Sequence, residues 1–224
     1  MDISPKLEET YSKVSNLVNS FILKKEIDYT DYKWFMYFND IVEANDIEVF
    51  PHEFTKTSQG GVSGMLVKDS LGISLSYNPL DIRFRQNFSK CHELSHFILH
   101  IDSHNENMIF KDMSTSYDDV SSEVEIEANV AASIILLPDI LLVKLMKTSI
   151  SFPKMSEILE MTQAALYVRL VQFLEFYVSI NNYSARCIIN SFRYEGRKED
   201  FNLHISGFGC TIEKQIILNY ENAL

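Results

Sequence analysis

Residues 85–100 read Arg85-Gln-Asn-Phe88-Ser89-Lys-Cys91-His92-Glu93-Leu-Ser95-His96-Phe-Ile-Leu-His100, and within them His92, Glu93 and His96 spell H-E-x-x-H. Residues four apart on a helix lie one above the other, so the two imidazoles face one side and can converge on a single tetrahedral ion. Glu93 is turned from His92 by about 100° of helical rotation, which lets its carboxylate reach a metal-bound water without displacing either ring. That spacing is the geometry of zinc-dependent hydrolysis. H-E-x-x-H fixes only three positions, so its weight rests on context. Phe84, Phe88, Cys91, Phe97, Ile98 and Ile101 recur at three- and four-residue steps around it, which predicts a helix packed against a core. Packing alone gives no reason for two histidines and a glutamate there.

The rest of the composition narrows the field. At 224 residues the chain is long enough for one good-sized core, alone or with a small appendage. Hydrophobic residues at 46% and charged residues at 23% are ordinary for a globular protein and exclude wholesale disorder. A net charge of −11 argues against a surface that neutralises many phosphates, so nucleic acid is not expected as a direct partner. The first residues carry no basic start followed by an apolar run, and the most apolar stretch, 128–143, is interrupted by Pro138 and Asp139 and falls short of a bilayer span. Cys91, Cys187 and Cys210 are widely spaced and odd in number, which suits a reducing cytoplasm and no structural thiolate site. The expected location is therefore cytoplasmic, without a membrane partner.

Ahead of the motif, Ser4-Pro5 opens an amphipathic helix that carries Leu7, Tyr11, Val14, Val18 and Phe21 to about Lys25, and a second starts near Thr30-Asp31 with Trp34, Phe35, Phe38, Ile41 and Val42 on one side. Short β-type runs follow at 47–50, 62–67 and 71–77, punctuated by Gly61, Gly64 and a turn at 68–70. They predict a small antiparallel sheet just before the motif helix, which either covers the core or holds an extended substrate by strand addition. Asn78-Pro79 is expected to open the motif helix. Residues 102–122 are polar and aperiodic and read as a loop, with His104 solvated in it. His100 continues the series 92, 96, 100, but a straight helix sets 92 and 100 about 12 Å apart, too far to share one ion. It is assigned to packing or capping.

A catalytic zinc wants three protein ligands and an open position. The next helix supplies Glu123, Glu125 and Glu127 within five residues. Asn129 lies one turn beyond Glu125 on the same face, so Glu125 could hold the metal while Asn129 supports a ligating histidine. Ser122-x-x-Glu125 is equally a capping box, and the local pattern leaves both roles open.

Read together, Arg85-x-x-Phe88-Ser89-x-Cys91-His-Glu-Leu-Ser95-His-x-x-x-His100 and Glu125-x-Glu127-Ala-Asn129-x-x-Ala132-x-x-x-Leu136-Leu137-Pro138 resemble the ImmA/IrrE family of metallopeptidases. The family pattern is similar to R-x-x-F-T-x-A-H-E-L-G-H-x-x-x-H followed by E-x-x-A-N-x-F-A-x-x-L-L-M-P, and the likeness runs from about residue 46 to about 176. Ser89, Cys91, Ser95, Ala131, Ile135 and Leu137 depart from it, and none of them removes a catalytic group. The resemblance implies one zinc ion per chain held by His92, His96 and Glu125, with Glu93 as general base and Asn129 behind a ligand. It implies a zincin-like endopeptidase whose substrate is a protein, a helix-turn-helix repressor or antitoxin, in a stress response or a mobile element. Tyr77 or a residue of the 102–122 loop is the expected oxyanion donor.

Beyond Pro138, a short helix at 140–146 and a helix pair across Met161-Thr162 are expected. The pair has helix-turn-helix spacing, yet only Lys154 and Arg169 are basic between 152 and 175, so it reads as core. The tail contains β-type runs at 186–192, 202–208 and 211–218. The expected fold class is therefore α+β: a mostly helical peptidase core over 1–178 with the small sheet, and a β-rich C-terminal element over 179–224. The alternatives are a metal-binding anti-repressor that acts by protein binding alone and, disfavoured by charge, a DNA-binding regulator.

Overall fold

The computed structural model describes residues 4–54, 61–101, 107–113, 122–207 and 212–224. It is α+β and mostly helical, and the chain divides into two compact units, Trp34–Ser133 and Met1–Lys33 with Ile134–Leu224.

The first unit carries the motif. Helix α2 (Trp34–Ala44) buries Trp34, Tyr37 and Phe38. Strands β1 (Ile47–Pro51), β2 (Val62–Asp69), β3 (Gly72–Tyr77) and β4 (Met108–Met113) form one sheet in the order β1-β3-β2-β4. β2 and β3 make a hairpin whose turn is closed by Asp69 Oδ1 accepting from the Leu71 amide at 2.8 Å, with Gly72 at φ +135°, where a side chain would be strained. The expected antiparallel sheet is instead mixed: β1 runs parallel to β3, Ile47 opposite Ile73. Alternation of apolar and polar residues has the same period in either kind of pair, so it could not give the strand order.

Helix α3 (Arg83–His100) carries H-E-x-x-H and packs across β2, β3 and β4. It starts four residues after the expected Pro79. Asn78 closes a turn instead, accepting from the Leu80 amide at 3.0 Å and donating to the Val62 carbonyl at 3.2 Å. β4 lies within the stretch expected to be loop, antiparallel to β2 with a bulge between Val62 and Gly64. Residues 102–106, including His104, and 114–121 fall outside the described residues. Helix α4 (Glu123–Leu136) follows, and the division between the two units falls inside it.

The second unit is helical. α1 (Pro5–Lys24) begins where expected, with Ser4 Oγ accepting from the Leu7 amide. Pro138 ends α4 and leads into α5 (Asp139–Met146), followed by α6 (Phe152–Ile158) and α7 (Gln163–Val178). The face of α7 that carries Leu166, Arg169, Leu170, Phe173 and Leu174 is buried, so the helix pair is core.

The tail corrects the expectation of β structure. Residues 186–192 lie in α8 (Asn182–Glu195), and the other runs, as far as they are described, lie in α9 (Glu199–Ser206) and α10 (Ile212–Glu221). Ala185, Ile189 and Phe192 are buried at four- and three-residue steps, and a helix is the form that puts them on one side. Asn181 caps α8 by accepting from the Ser184 amide at 2.9 Å, and Gly196 ends it at φ +73°.

Among the described residues no single helix is long and apolar enough to cross a membrane. α4 and α5 reach that length and composition only together, and they are bent by 58°.

Candidate metal centre

α3 holds His92, Glu93 and His96 fully buried, and α4 brings Glu125 to them. His92 Nε2 lies 3.1 Å from Glu125 Oε2, His96 Nε2 lies 3.4 Å from Glu125 Oε1, and the two Nε2 atoms are 3.0 Å apart. Three donors about 2.1 Å from a tetrahedral ion stand roughly 3.4 Å from one another, so the observed separations fit such a metal ion. Among the described residues these three are the group that could hold a metal ion. Both oxygens of Glu125 face the histidines, so its carboxylate stands where it could share an ion with them. Asn129 Oδ1 lies 3.0 Å from His92 Nδ1. An amide oxygen accepts only, so His92 donates from Nδ1 and its Nε2 is turned toward the cluster.

Glu93 is held differently at its two oxygens. Oε1 accepts from the Asp112 amide on β4 at 3.0 Å, while Oε2 is buried with no hydrogen-bond partner among the described residues. A buried carboxylate oxygen so placed can accept a proton. Gly64 on β2 leaves the room for it: a Cβ there would stand 2.9 Å from Glu93 Oε1 and 3.0 Å from its Cγ. Asp112 is itself fixed, taking both its oxygens to Arg85 at 2.9 Å and accepting from Ser89 Oγ at 2.8 Å. Phe110, two residues earlier on β4, stacks on the His96 ring at 4.4 Å.

Protonation follows this geometry. Burial pushes the Glu93 carboxyl up to about 8, with His92 pulling the other way. Burial also acts to raise Glu125, but the His92 and His96 rings against its two oxygens win and bring it down to about 2. His92 is raised, because Glu125, Asp112 and Glu93 outweigh its burial, whereas His96 is lowered by burial and by its histidine neighbours despite Glu125.

The structure thus brings together His92, Glu93, His96, Glu125 and Asn129. Tyr77 lies on β3 opposite Gly64, with the Lys90 ammonium 3.9 Å above its ring. The part of the expected loop that is described contributes Phe110 and Asp112, which sequence reasoning missed. The signal was Met108-Ile109-Phe110, an apolar run between polar clusters. Arg85 and Ser89, quoted only as parts of a pattern, prove to support Glu93 through Asp112. His100 and Glu127 are joined at 3.1 Å.

A comparison with curated proteins returns no match. The family model described as the IrrE N-terminal-like domain, Peptidase M78, covers residues 42–170, more than half of the chain and both motifs. The chain therefore belongs to this ImmA/IrrE family of metallopeptidases.

Proposed function

We propose that the protein is a zinc-dependent endopeptidase that cleaves a DNA-binding repressor or antitoxin of helix-turn-helix type. The observation that carries the reading is the His92, His96 and Glu125 cluster beside a buried glutamate whose Oε2 has no partner among the described residues. His92, His96 and Glu125 would hold the ion, and Asn129 would fix the orientation of His92. When bound, zinc supplies Lewis acidity that polarises a peptide carbonyl and makes water nucleophilic near neutral pH.

The chain's own groups do the rest. Glu93, with Oε1 held by the Asp112 amide, takes the proton of the attacking water at Oε2 and returns it to the amine that leaves, so no net proton is consumed in the transfer. β4 is an outer strand of the sheet and runs beside both Glu93 and His96, which suits an extended peptide added along it. The net charge of −11 favours a basic partner such as a DNA-binding protein, and such a partner would put the reaction in the cytoplasm.

The test has two stages. Titrated with zinc, the purified protein is expected to take up one ion per chain by elemental analysis. The loaded protein is then incubated with lysate of the organism that encodes it, and new N-termini are mapped. Cleavage inside helix-turn-helix proteins that disappears in Glu93→Gln supports the reading. Cleavage that persists in that variant, or none at all from zinc-loaded protein, rejects it.

A further inference from the structure

His96 has a partner at its other nitrogen. Its Nδ1 lies 3.0 Å from Nδ1 of His100, one turn on along α3, and Nε2 of His100 lies 3.1 Å from Oε2 of Glu127 on α4. Glu127 is buried and His100 nearly so. Phe110 stacks on His96 at 4.4 Å and tilts against His100 at 6.0 Å, which holds both ring planes.

The hydrogens in this chain have one consistent order. A carboxylate offers acceptors only, so His100 donates from Nε2 to Glu127. A neutral imidazole that donates from one nitrogen accepts at the other, so His100 Nδ1 accepts. His96 must then donate from Nδ1, which leaves the lone pair of its Nε2 directed at His92 and Glu125. Asn129 imposes the same arrangement on His92 in a single step.

We infer that His100 and Glu127 are positioning residues which set the tautomer and ring orientation of His96 before any metal arrives, so that α4 supplies one ligand, Glu125, and the outer support of both histidines. This rests on the metal-centre reading given above. It assigns His100 a task that its distance from the ion position had hidden, since a histidine too far along the helix to bind the metal is at the right distance to hold the one that does. Glu127 likewise ceases to be a spare member of the Glu123, Glu125, Glu127 series.

The test uses full-length protein labelled with 15N-histidine, without metal, in a long-range 1H–15N correlation spectrum, with His96 assigned through His96→Gln. The expected spectrum shows His96 as the Nδ1–H tautomer and His100 as the Nε2–H tautomer. In Glu127→Leu, which keeps the bulk and removes the acceptor, zinc affinity measured against a chromophoric chelator is expected to fall about 10- to 100-fold. Glu127→Gln, whose amide oxygen still accepts, should recover most of it. The inference is overturned if His96 in the metal-free parent protein is the Nε2–H tautomer, if Glu127→Leu binds zinc within twofold of the parent, or if Glu127→Gln loses as much as Glu127→Leu. Should Glu127→Leu fail to fold, the tautomer of the parent still decides the matter. A parent protein that binds no zinc would remove the metal-centre reading and leave the tautomer measurement standing on its own.

Discussion

Asp139 with Arg169 in the helical unit, and His92, Glu93, His96 and Glu125 in the sheet-bearing unit, are both groups of ionisable side chains taken out of water. They differ in whether the chain supplies the partners. Arg169 donates from Nε to the Leu137 carbonyl at 3.0 Å, from one terminal nitrogen to the Tyr11 hydroxyl at 2.9 Å, and from the other to Asp139 Oδ1. Asp139 also accepts from Tyr11 at 2.5 Å and from Ser15 at 3.1 Å. Burial pulls Arg169 down, but Tyr11 and Asp139 hold it above its ordinary value, so the guanidinium stays charged. That network closes on itself. The other converges three possible ligand atoms on one point and leaves a carboxylate oxygen without a partner among the described residues. A low-dielectric interior makes an unfinished network costly, so an unfinished one that persists marks a place where something else is meant to bind or react.

The largest effect expected tests the closed network. Arg169→Leu leaves Asp139 buried and unpaired and should cost about 3–5 kcal/mol in urea unfolding, with Arg169→Leu/Asp139→Leu recovering much of the loss. A loss below about 1 kcal/mol would break the contrast by showing that this network is not needed for folding. In the open cluster, Glu125→Ala should weaken zinc by more than about 100-fold, beyond the cost of losing an outer-shell partner, while Glu123→Ala stays within twofold. Equal losses from the two would mean that α4 acts through general negative charge and not through one ligand.

A smaller effect comes from Glu93. Its folded-state carboxyl is raised to about 8 from 4.5, so between those values the metal-free folded protein binds more protons than the unfolded chain. The stability this proton contributes is present below about pH 4.5 and is lost as pH rises through about 8. Glu93→Gln should therefore match the parent near pH 4.5 and exceed it by a margin that widens as the pH rises toward 8 in metal-free urea titrations. Zinc should flatten the parent's slope, because a neighbouring cation favours the carboxylate. A parent curve that is already flat without metal would place Glu93 in a wetter site than the structure describes.

Much of this contrast was legible in the sequence where one helix face carries the chemistry. His92, Glu93 and His96 follow from a period of 3.6 residues, and Asn129 follows from Glu125 by one turn. What escaped depends on pairing between segments remote in the chain. Asp112 reaches Glu93 from 19 residues away through a backbone amide, which no side-chain pattern encodes. The parallel placement of β1 against β3 has the same cause. His100 was judged only against the ion, so its partner Glu127, 27 residues on, went unread. The tail misled differently: the run at 186–192 read as a strand, while the capping residues Asn181 and Gly196 and the buried steps at 185, 189 and 192 carried the stronger helical signal.

The smallest effect sharpens the comparison most, because it alters space and nothing else. Gly64 has no left-handed φ, so alanine is conformationally ordinary at that point of β2. Its Cβ would meet Oε1 and Cγ of Glu93, the flexible end of a side chain, and Glu93 can move where backbone could not. Gly64→Ala should thus cost only about 1 kcal/mol of stability. The displaced carboxylate would lose the Asp112 amide and its aim, and hydrolysis should fall by at least about tenfold, as misplacement of a general base predicts. Zinc affinity should stay within twofold, since the atoms nearest an added Cβ all belong to Glu93. A rate that survives the extra methyl would mean that the fixed position of Glu93 is dispensable. A zinc affinity that falls with the rate would mean that the base and the ligands form one rigid unit, with the cluster closer in kind to the Arg169 network than its unpartnered oxygen suggests.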